Sequence, residues 1–159
     1  MASRRAPARR LQAAAATLAG LALLTACEKP APLVTVVNAG RSVYAEANVY
    51  CFEGQSNADG NCANRRDDVP TLAISGGQPV GVDVAKPVVE RTWRIELTDT
   101  AAPAQGQKRR LDVSTIQDGH YLSFTAPAIE PGGALLLTVR ALGAEGQSTG
   151  EWRFRLVPR

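Results

Sequence analysis

The chain has 159 residues, of which 45% are hydrophobic and 21% are charged, and its formal net charge is +3. Four of its 18 Lys and Arg residues lie within the first ten positions, so 14 basic residues face 15 acidic ones in the rest of the chain. Because that remainder has no excess of basic residues, its composition argues against a nucleic-acid-binding protein, which needs a positively charged surface.

The first 26 residues have the pattern of a secretory signal peptide. An Ala- and Leu-rich run over residues 11–24 follows the four arginines, and as a helix it would span about 20 Å, less than the ~30 Å of a bilayer core. The run ends in Leu24-Thr25-Ala26-Cys27, which resembles a bacterial lipobox. We expect residues 1–26 to form a signal helix that is cleaved, and Cys27 to be lipidated. The alternative is an ordinary signal peptide cut after Ala26, which would release the protein.

Lipidation of Cys27 would place the protein on the outer face of the cytoplasmic membrane. Each buried CH₂ contributes about 0.8 kcal/mol, so two acyl chains anchor a protein durably. Pro30 and Pro32 block helix formation and favour extended backbone, so residues 27–32 are predicted to be the lipidated cysteine and a proline-rich tether. The remaining residues, 33–159, suffice for a single domain with its own core.

The other two cysteines, Cys51 and Cys62, form an even pair in an exported chain, where disulfides are common. A metal site or a redox pair would need further ligands nearby or a two-residue spacing, and the sequence has neither. We therefore predict a disulfide, which should stabilise the fold by about 2 to 3 kcal/mol.

From residue 33 onward, short apolar or alternating runs are separated by Gly, Pro, Asn and Asp turns, a pattern typical of strands. In the run over residues 91–98, Trp93, Ile95 and Leu97 alternate with polar residues and are expected to face the core. In the last run, Trp152 and its alternate neighbours are expected inward, with Arg153 and Arg155 outward. The predicted strands are 33–38, 42–52, 71–75, 80–84, 91–98, 111–116, 121–125, 135–141 and 151–157.

Two of these strands carry more specific expectations. Residues 42–52 are predicted to form one strand, with Cys51 on its core side. Asp118-Gly119 separates two strand-like runs and indicates a hairpin between them. No sustained helical period follows residue 28, so we predict an all-β fold, an antiparallel, immunoglobulin-like β-sandwich of about eight strands after the signal helix.

Several landmarks together resemble an actinobacterial lipoprotein family classified as a domain of unknown function. The resemblance spans most of the sequence from Cys27 onward and implies a membrane anchor, but it implies no activity. It rests on Cys27-Glu28-Lys29-Pro30-Ala31-Pro32-Leu33, the pair Cys51 and Cys62, the series Gly77, Val80, Val82, Val84 and Trp93, and the closing Trp152, Phe154 and Leu156.

The sequence contains little that points to catalysis. His120 is the chain's single histidine, and no Gly-x-Ser-x-Gly elbow, P-loop or Gly-x-Gly-x-x-Gly motif accompanies it. We therefore interpret His120 as a turn residue and expect neither an enzyme nor a cofactor. The alternative is an enzyme or small-ligand carrier whose site combines His120 with Asp118, Tyr121 and Glu53.

The loop after Cys51 has a weak resemblance to a calcium loop. Asn57, Asp59 and Asn61 alternate, and Asp68 lies at the twelfth position counted from Asn57. Such a loop needs a glycine at its sixth position for the sharp turn, but Cys62 lies there. We therefore predict a solvated, disulfide-linked loop and no metal site.

Two groups of basic residues are candidates for binding surfaces. The triplet Lys108-Arg109-Arg110 could contact anionic headgroups or cell-wall polymers, with about 1 kcal/mol per charge. Arg140 would form a second basic face with Arg153 and Arg155 if their strands pair. The sequence thus favours a non-catalytic binding or structural module at the cell envelope, with an envelope protein or cell-wall polymer as partner and no nucleic acid.

Overall fold

The computed structural model describes residues 30–53, 55, 62, 66–100, 110–116 and 119–159. The compact body extends over Ala31–Arg159, two residues earlier than the predicted start at residue 33. Within the described residues, one short helix, α1 (Lys86–Val89), accompanies the strands. The strands are β1 (Leu33–Asn38), β2 (Arg41–Glu46), β3 (Val49–Tyr50), β4 (Thr71–Ile74), β5 (Pro79–Val84), β6 (Thr92–Asp99), β7 (Arg110–Ile116), β8 (Tyr121–Thr125), β9 (Leu135–Leu142) and β10 (Ser148–Pro158).

The strands form two sheets. The four-stranded sheet has the order β2-β1-β5-β8, and the six-stranded sheet has the order β3-β10-β9-β6-β7 with β4 also paired to β10. Every pair is antiparallel except β4 with β10, which is parallel and joins strands that are distant in sequence. The predicted all-β sandwich is therefore confirmed, with one parallel pair added.

The core lies between the two sheets and follows the alternation of the strands. In β6, Trp93 and Ile95 are fully buried, and in β10 so are Trp152, Phe154 and Leu156. The four-stranded sheet contributes a second buried layer, which includes Val34, Val36, Val80 and Val82. The inward faces predicted for β6 and β10 are thus confirmed.

β1 and β2 form a tight hairpin in which Asn38 pairs with Arg41. The two residues between them, Ala39 and Gly40, have φ values of 47° and 76°. Positive φ at both central positions is the geometry whose twist matches that of the flanking strands, and glycine adopts it without steric cost.

The predicted single strand over residues 42–52 is wrong, because the chain changes sheets in the middle of it. β2 pairs with β1 in the four-stranded sheet, whereas β3 pairs with β10 in the six-stranded sheet. Ala47 and Asn48, which lie between them, are both buried, so the strict alternation breaks there. Cys51 is nevertheless on the core side, as predicted, with 1% of its surface exposed.

The predicted hairpin between residues 111–116 and 121–125 is also wrong, because β7 pairs with β6 and β8 pairs with β5. The indole N–H of Trp93 donates to the carbonyl of Gly119 at 2.7 Å, and the N–H of Val84 donates to the carbonyl of His120. Gly119 is therefore bonded to the six-stranded sheet, and the next residue, His120, is bonded to the four-stranded sheet. An Asp-Gly pair predicts a change of direction, but it does not determine which sheet the next strand joins.

Candidate functional site

The outer face of the six-stranded sheet carries a connected group of ionised side chains, here called the charged cluster. Its members are Arg94, Glu96, Arg140, Glu151 and Arg153, from β6, β9 and β10. Arg94 lies directly opposite Arg140 in the register of β6 and β9. Because like charges in opposite positions destabilise a sheet, this pair requires neighbouring carboxylates.

Glu96 and Glu151 supply those carboxylates. Both oxygens of Glu96 accept hydrogen bonds from Nη1 of Arg140 at 3.0 Å, and Nη2 of Arg94 lies 3.2 Å from Oε1. Nε of Arg140 donates to Glu151 at 2.9 Å. The two carboxylates are therefore engaged by guanidinium groups, which suits a structural role better than that of a general base.

The alternation of β6 placed Glu96 among the outward, polar residues, yet only 4% of its surface is exposed. A buried carboxylate is tolerated when it is paired and hydrogen-bonded, which the two arginines ensure. Nε of Arg94 is buried and has no hydrogen-bond partner within the described part of the chain. Sequence reasoning missed this cluster, since the cross-strand neighbours of Glu96 depend on strand order.

The predicted basic face of Arg140, Arg153 and Arg155 is only partly present. β9 and β10 pair as that hypothesis requires, but Glu151 lies between the first two arginines and binds both of them. Arg155 makes no side-chain ion pair with the described residues. It lines an open depression of about 400 Å³ with Val69, Thr100 and Leu136.

In the structure, the side chain of His120 pairs with Asp83, which is not one of the residues expected in the alternative site. Nδ1 of His120 lies 3.2 Å from Oδ1 of Asp83, and both side chains are more than half exposed. Tyr121 is adjacent in sequence and lies over Gly81, while Glu53 is an exposed turn residue after Cys51. Asp118, the remaining member, lies outside the described residues.

The disulfide between Cys51 and Cys62 is formed, as predicted. Both terminal nitrogens of Arg91 donate to the carbonyl of Cys51 at 3.3 Å, and the same guanidinium lies 5.1 Å from the centre of the Tyr50 ring. Burial raises the pKa of Tyr50, and the positive charge of Arg91 opposes that shift. The disulfide is thus attached to the start of β6 through Arg91.

The first residues of the body are held by the last strand. Ala31 is 5% exposed, and the indole N–H of Trp152 donates to the carbonyl of Pro32 at 2.9 Å. These two residues were expected to belong to a tether outside the domain. In the structure they are packed within the body.

Asn48 is a second residue whose role sequence reasoning missed. Its side-chain amide donates to the carbonyls of Arg66 and Asp68, and its oxygen accepts from the N–H of Arg153. Asn48 therefore links the segment before β4 to the backbone of β10 at Arg153. No sequence pattern identifies such a residue, because its partners lie 18 to 105 positions away.

Two further depressions, of about 350 and 270 Å³, lie beside Thr92 and beside Ile74 and are open to solvent. Among the described residues, no group of three or more His, Cys, Asp or Glu side chains could hold a metal ion. Within the same residues, no helix has the length and apolar character needed to cross a membrane. Cys27, Asn57, Asp59, Asn61, Lys108 and Arg109 lie outside the described part of the chain, and so do the predictions that concern them.

No family model matches this chain, and no curated protein matches it. The resemblance to an actinobacterial lipoprotein family therefore stays a prediction from the sequence landmarks.

Proposed function

We propose that this chain is a lipoprotein on the outer face of the cytoplasmic membrane, anchored through Cys27. Its β-sandwich body acts as a non-catalytic binding or structural module at the cell envelope. Its partner there is an envelope protein or a cell-wall polymer.

The observation that carries the proposal is the position of a disulfide-bonded, all-β body directly behind a lipobox-like sequence. The body begins at Ala31, four positions after Cys27, and contains the Cys51–Cys62 disulfide. Disulfides persist in oxidising compartments outside the cytoplasm, which agrees with export. A lipobox-like cysteine followed by a disulfide-bonded body is the arrangement expected of an exported, lipid-anchored domain.

The paired state of the ionised groups supports a non-catalytic role. The acid groups in the charged cluster, Glu96 and Glu151, are bound by arginines, and His120 pairs with Asp83 at an exposed position rather than in a cavity. Enzyme sites usually place perturbed acids or bases within a concave pocket. The outer surfaces of the two sheets are more suitable for contact with a large partner.

The anchor is tested with Cys27→Ser and with Lys29→Arg as the matched control, both expressed in a bacterium that acylates lipoproteins. We expect the wild type and the control to incorporate radioactive palmitate and to sediment with membranes. The Cys27→Ser protein should lose the label and appear in the soluble fraction. Unchanged palmitate incorporation in Cys27→Ser would reject the anchor.

A further inference from the structure

The outer face of the four-stranded sheet carries three of the four exposed large hydrophobic side chains among the described residues. Large hydrophobic side chains that are well exposed there are Leu33 (44%), Tyr44 (71%) and Tyr121 (53%), and Val69 is the one such residue elsewhere in the described ranges. Each of the three alternates with inward residues of β1, β2 or β8. They therefore project from one face of one sheet.

The register places these side chains in two adjacent rows. One row runs across all four strands, with Tyr44 at one end and Tyr121 at the other. Its members, in order, are Tyr44, Thr35, Asp83 and Tyr121. With about 4.8 Å between strands, the backbones of the two tyrosines are about 14 Å apart. Leu33 lies in the next row, at the start of β1, opposite Glu46.

The acidic side chains of this face are each paired with a base. Glu46 lies 2.7 Å from the guanidinium of Arg66, and Asp83 lies 3.2 Å from the imidazole of His120. A third row, on the side of the tyrosine row away from Leu33, has the hydroxyl groups of Ser42 and Ser123 at its two ends. The face thus combines aromatic, hydroxyl and paired polar groups, which suits the interface between water and lipid.

The length of chain between Cys27 and the body limits how far the body can lie from the proposed anchor. Ala31 is four positions from Cys27, so even fully extended backbone between them reaches only about 14 Å. The chain then enters β1, a central strand of the four-stranded sheet, with Leu33 in its first row. The charged cluster lies instead on the outer face of the six-stranded sheet.

We infer that the outer face of the four-stranded sheet lies on the lipid bilayer surface, with Tyr44 and Tyr121 among the headgroups and Leu33 nearest the acyl chains. This inference rests on the proposed lipidation of Cys27. Tyrosine is enriched at membrane interfaces because its ring is apolar and its hydroxyl is polar. In this orientation the charged cluster and Arg155 face away from the membrane, towards the partners of the proposed binding module.

The test measures how closely three single positions approach the bilayer. Ser42→Cys and Ser123→Cys report on the four-stranded sheet, and Arg155→Cys reports on the six-stranded sheet; all three native residues are exposed. Full-length protein, acylated in a bacterium, is labelled with a fluorescent maleimide. The acylated Cys27 and the disulfide-bonded Cys51 and Cys62 leave the introduced thiol as the reactive one. The proteins are then reconstituted into phosphatidylcholine–phosphatidylglycerol vesicles that contain headgroup-nitroxide lipid.

We expect the nitroxide to remove most of the fluorescence at positions 42 and 123 and little at position 155. Adding Tyr44→Ser and Tyr121→Ser to the position 42 protein should restore a large part of its fluorescence. Equal quenching at all three positions, or strongest quenching at position 155, would overturn the inference. If soluble cell-wall glycan changes the fluorescence at positions 42 and 123 and the vesicles do not quench it, the inference is overturned, and this face binds glycan instead.

Palmitate labelling of the same samples separates the two proposals. If palmitate is present on Cys27 and positions 42 and 123 stay bright, the lipid-facing orientation fails while the anchor stands. If palmitate is absent, the proposed anchor fails, and the orientation that depends on it fails as well.

Discussion

Glu96 and Arg140 meet across β6 and β9, with both carboxylate oxygens 3.0 Å from one guanidinium nitrogen and with 6% of the Glu96 side chain exposed. Arg94 binds the same carboxylate from within β6. Glu96 therefore binds both of the arginines that lie directly opposite each other in adjacent strands, and Glu151 binds Arg140 as well.

Replacing Glu96 with Gln should lower the free energy of unfolding by about 2 kcal/mol, because the partly buried guanidinium of Arg94 loses this carboxylate and that of Arg140 is left with Glu151. Glu90→Gln is the matched control, since Glu90 lies 3.9 Å from Lys86 in a largely exposed pair. Such surface pairs contribute about 0 to 1 kcal/mol. Urea denaturation of the two variants measures the difference. Equal stability of Glu96→Gln and wild type would show that the cluster does not stabilise the sheet.

Removing the disulfide with the double substitution Cys51→Ser and Cys62→Ser should destabilise the body by about 3 kcal/mol, since the unfolded chain gains the entropy of an open loop. The two cysteines are 11 positions apart. Urea unfolding in the absence of reductant measures the loss. Mass mapping of wild type under non-reducing conditions provides the control, and two free thiols in exported wild-type protein would contradict the disulfide.

Gly150→Ala should destabilise the body by about 1 to 3 kcal/mol through overpacking. A methyl group at position 150 would lie 2.8 Å from the Trp152 ring and 3.0 Å from the Tyr50 ring, and both rings are buried. Gly76→Ala is the control, because Gly76 lies in an exposed turn and its nearest neighbour would be 3.3 Å away. Thermal unfolding compares the two variants, and a Gly150→Ala melting temperature at or above that of Gly76→Ala would argue against the tight contact.

Stability should decrease at alkaline pH through Tyr50. Burial raises its pKa above the ordinary value of 10.0 in the folded state, so the unfolded state loses the phenolic proton first. The contribution of Tyr50 is therefore fully present below about pH 10 and is lost as the pH rises through the folded pKa.

Tyr50→Phe tests this prediction because phenylalanine cannot ionise. Urea unfolding at about pH 9 and about pH 11 should show a smaller loss of stability for Tyr50→Phe than for wild type. Tyr44→Phe is the control, since Tyr44 is 71% exposed. If Tyr50→Phe and wild type lose the same stability between these pH values, ionisation of Tyr50 does not contribute to alkaline unfolding.

Most of the strands and their inward faces could be predicted from local alternation. Trp93, Ile95 and Leu97 in β6 and the buried side chains of β10 lie where a period of two residues places them. The Cys51–Cys62 disulfide also followed from the even number of remaining cysteines and from the predicted export of the chain. The strand faces depend on each residue's own neighbours in sequence, so a single sequence contains them.

The sheet to which each strand belongs could not be predicted in the same way. The Asp118-Gly119 signal and the alternation of residues 42–52 were both interpreted as continuity within one sheet, yet the chain changes sheets at both places. Each change is stabilised by distant hydrogen bonds, from Trp93 to Gly119 and from Asn48 to residues 66 and 68. A strand's own residues do not encode such partners.

The amino-acid sequence by itself determined the class of fold, the disulfide, the core faces of most strands and the expectation of a lipid anchor at Cys27. The tertiary structure alone decided that Glu96 is buried between two arginines, and that Tyr44 and Tyr121 share one exposed row. The physical reason is that alternation selects the side of a strand on which a residue lies. The neighbours on that side are set by strand order and register, which arise from contacts between residues far apart in the chain.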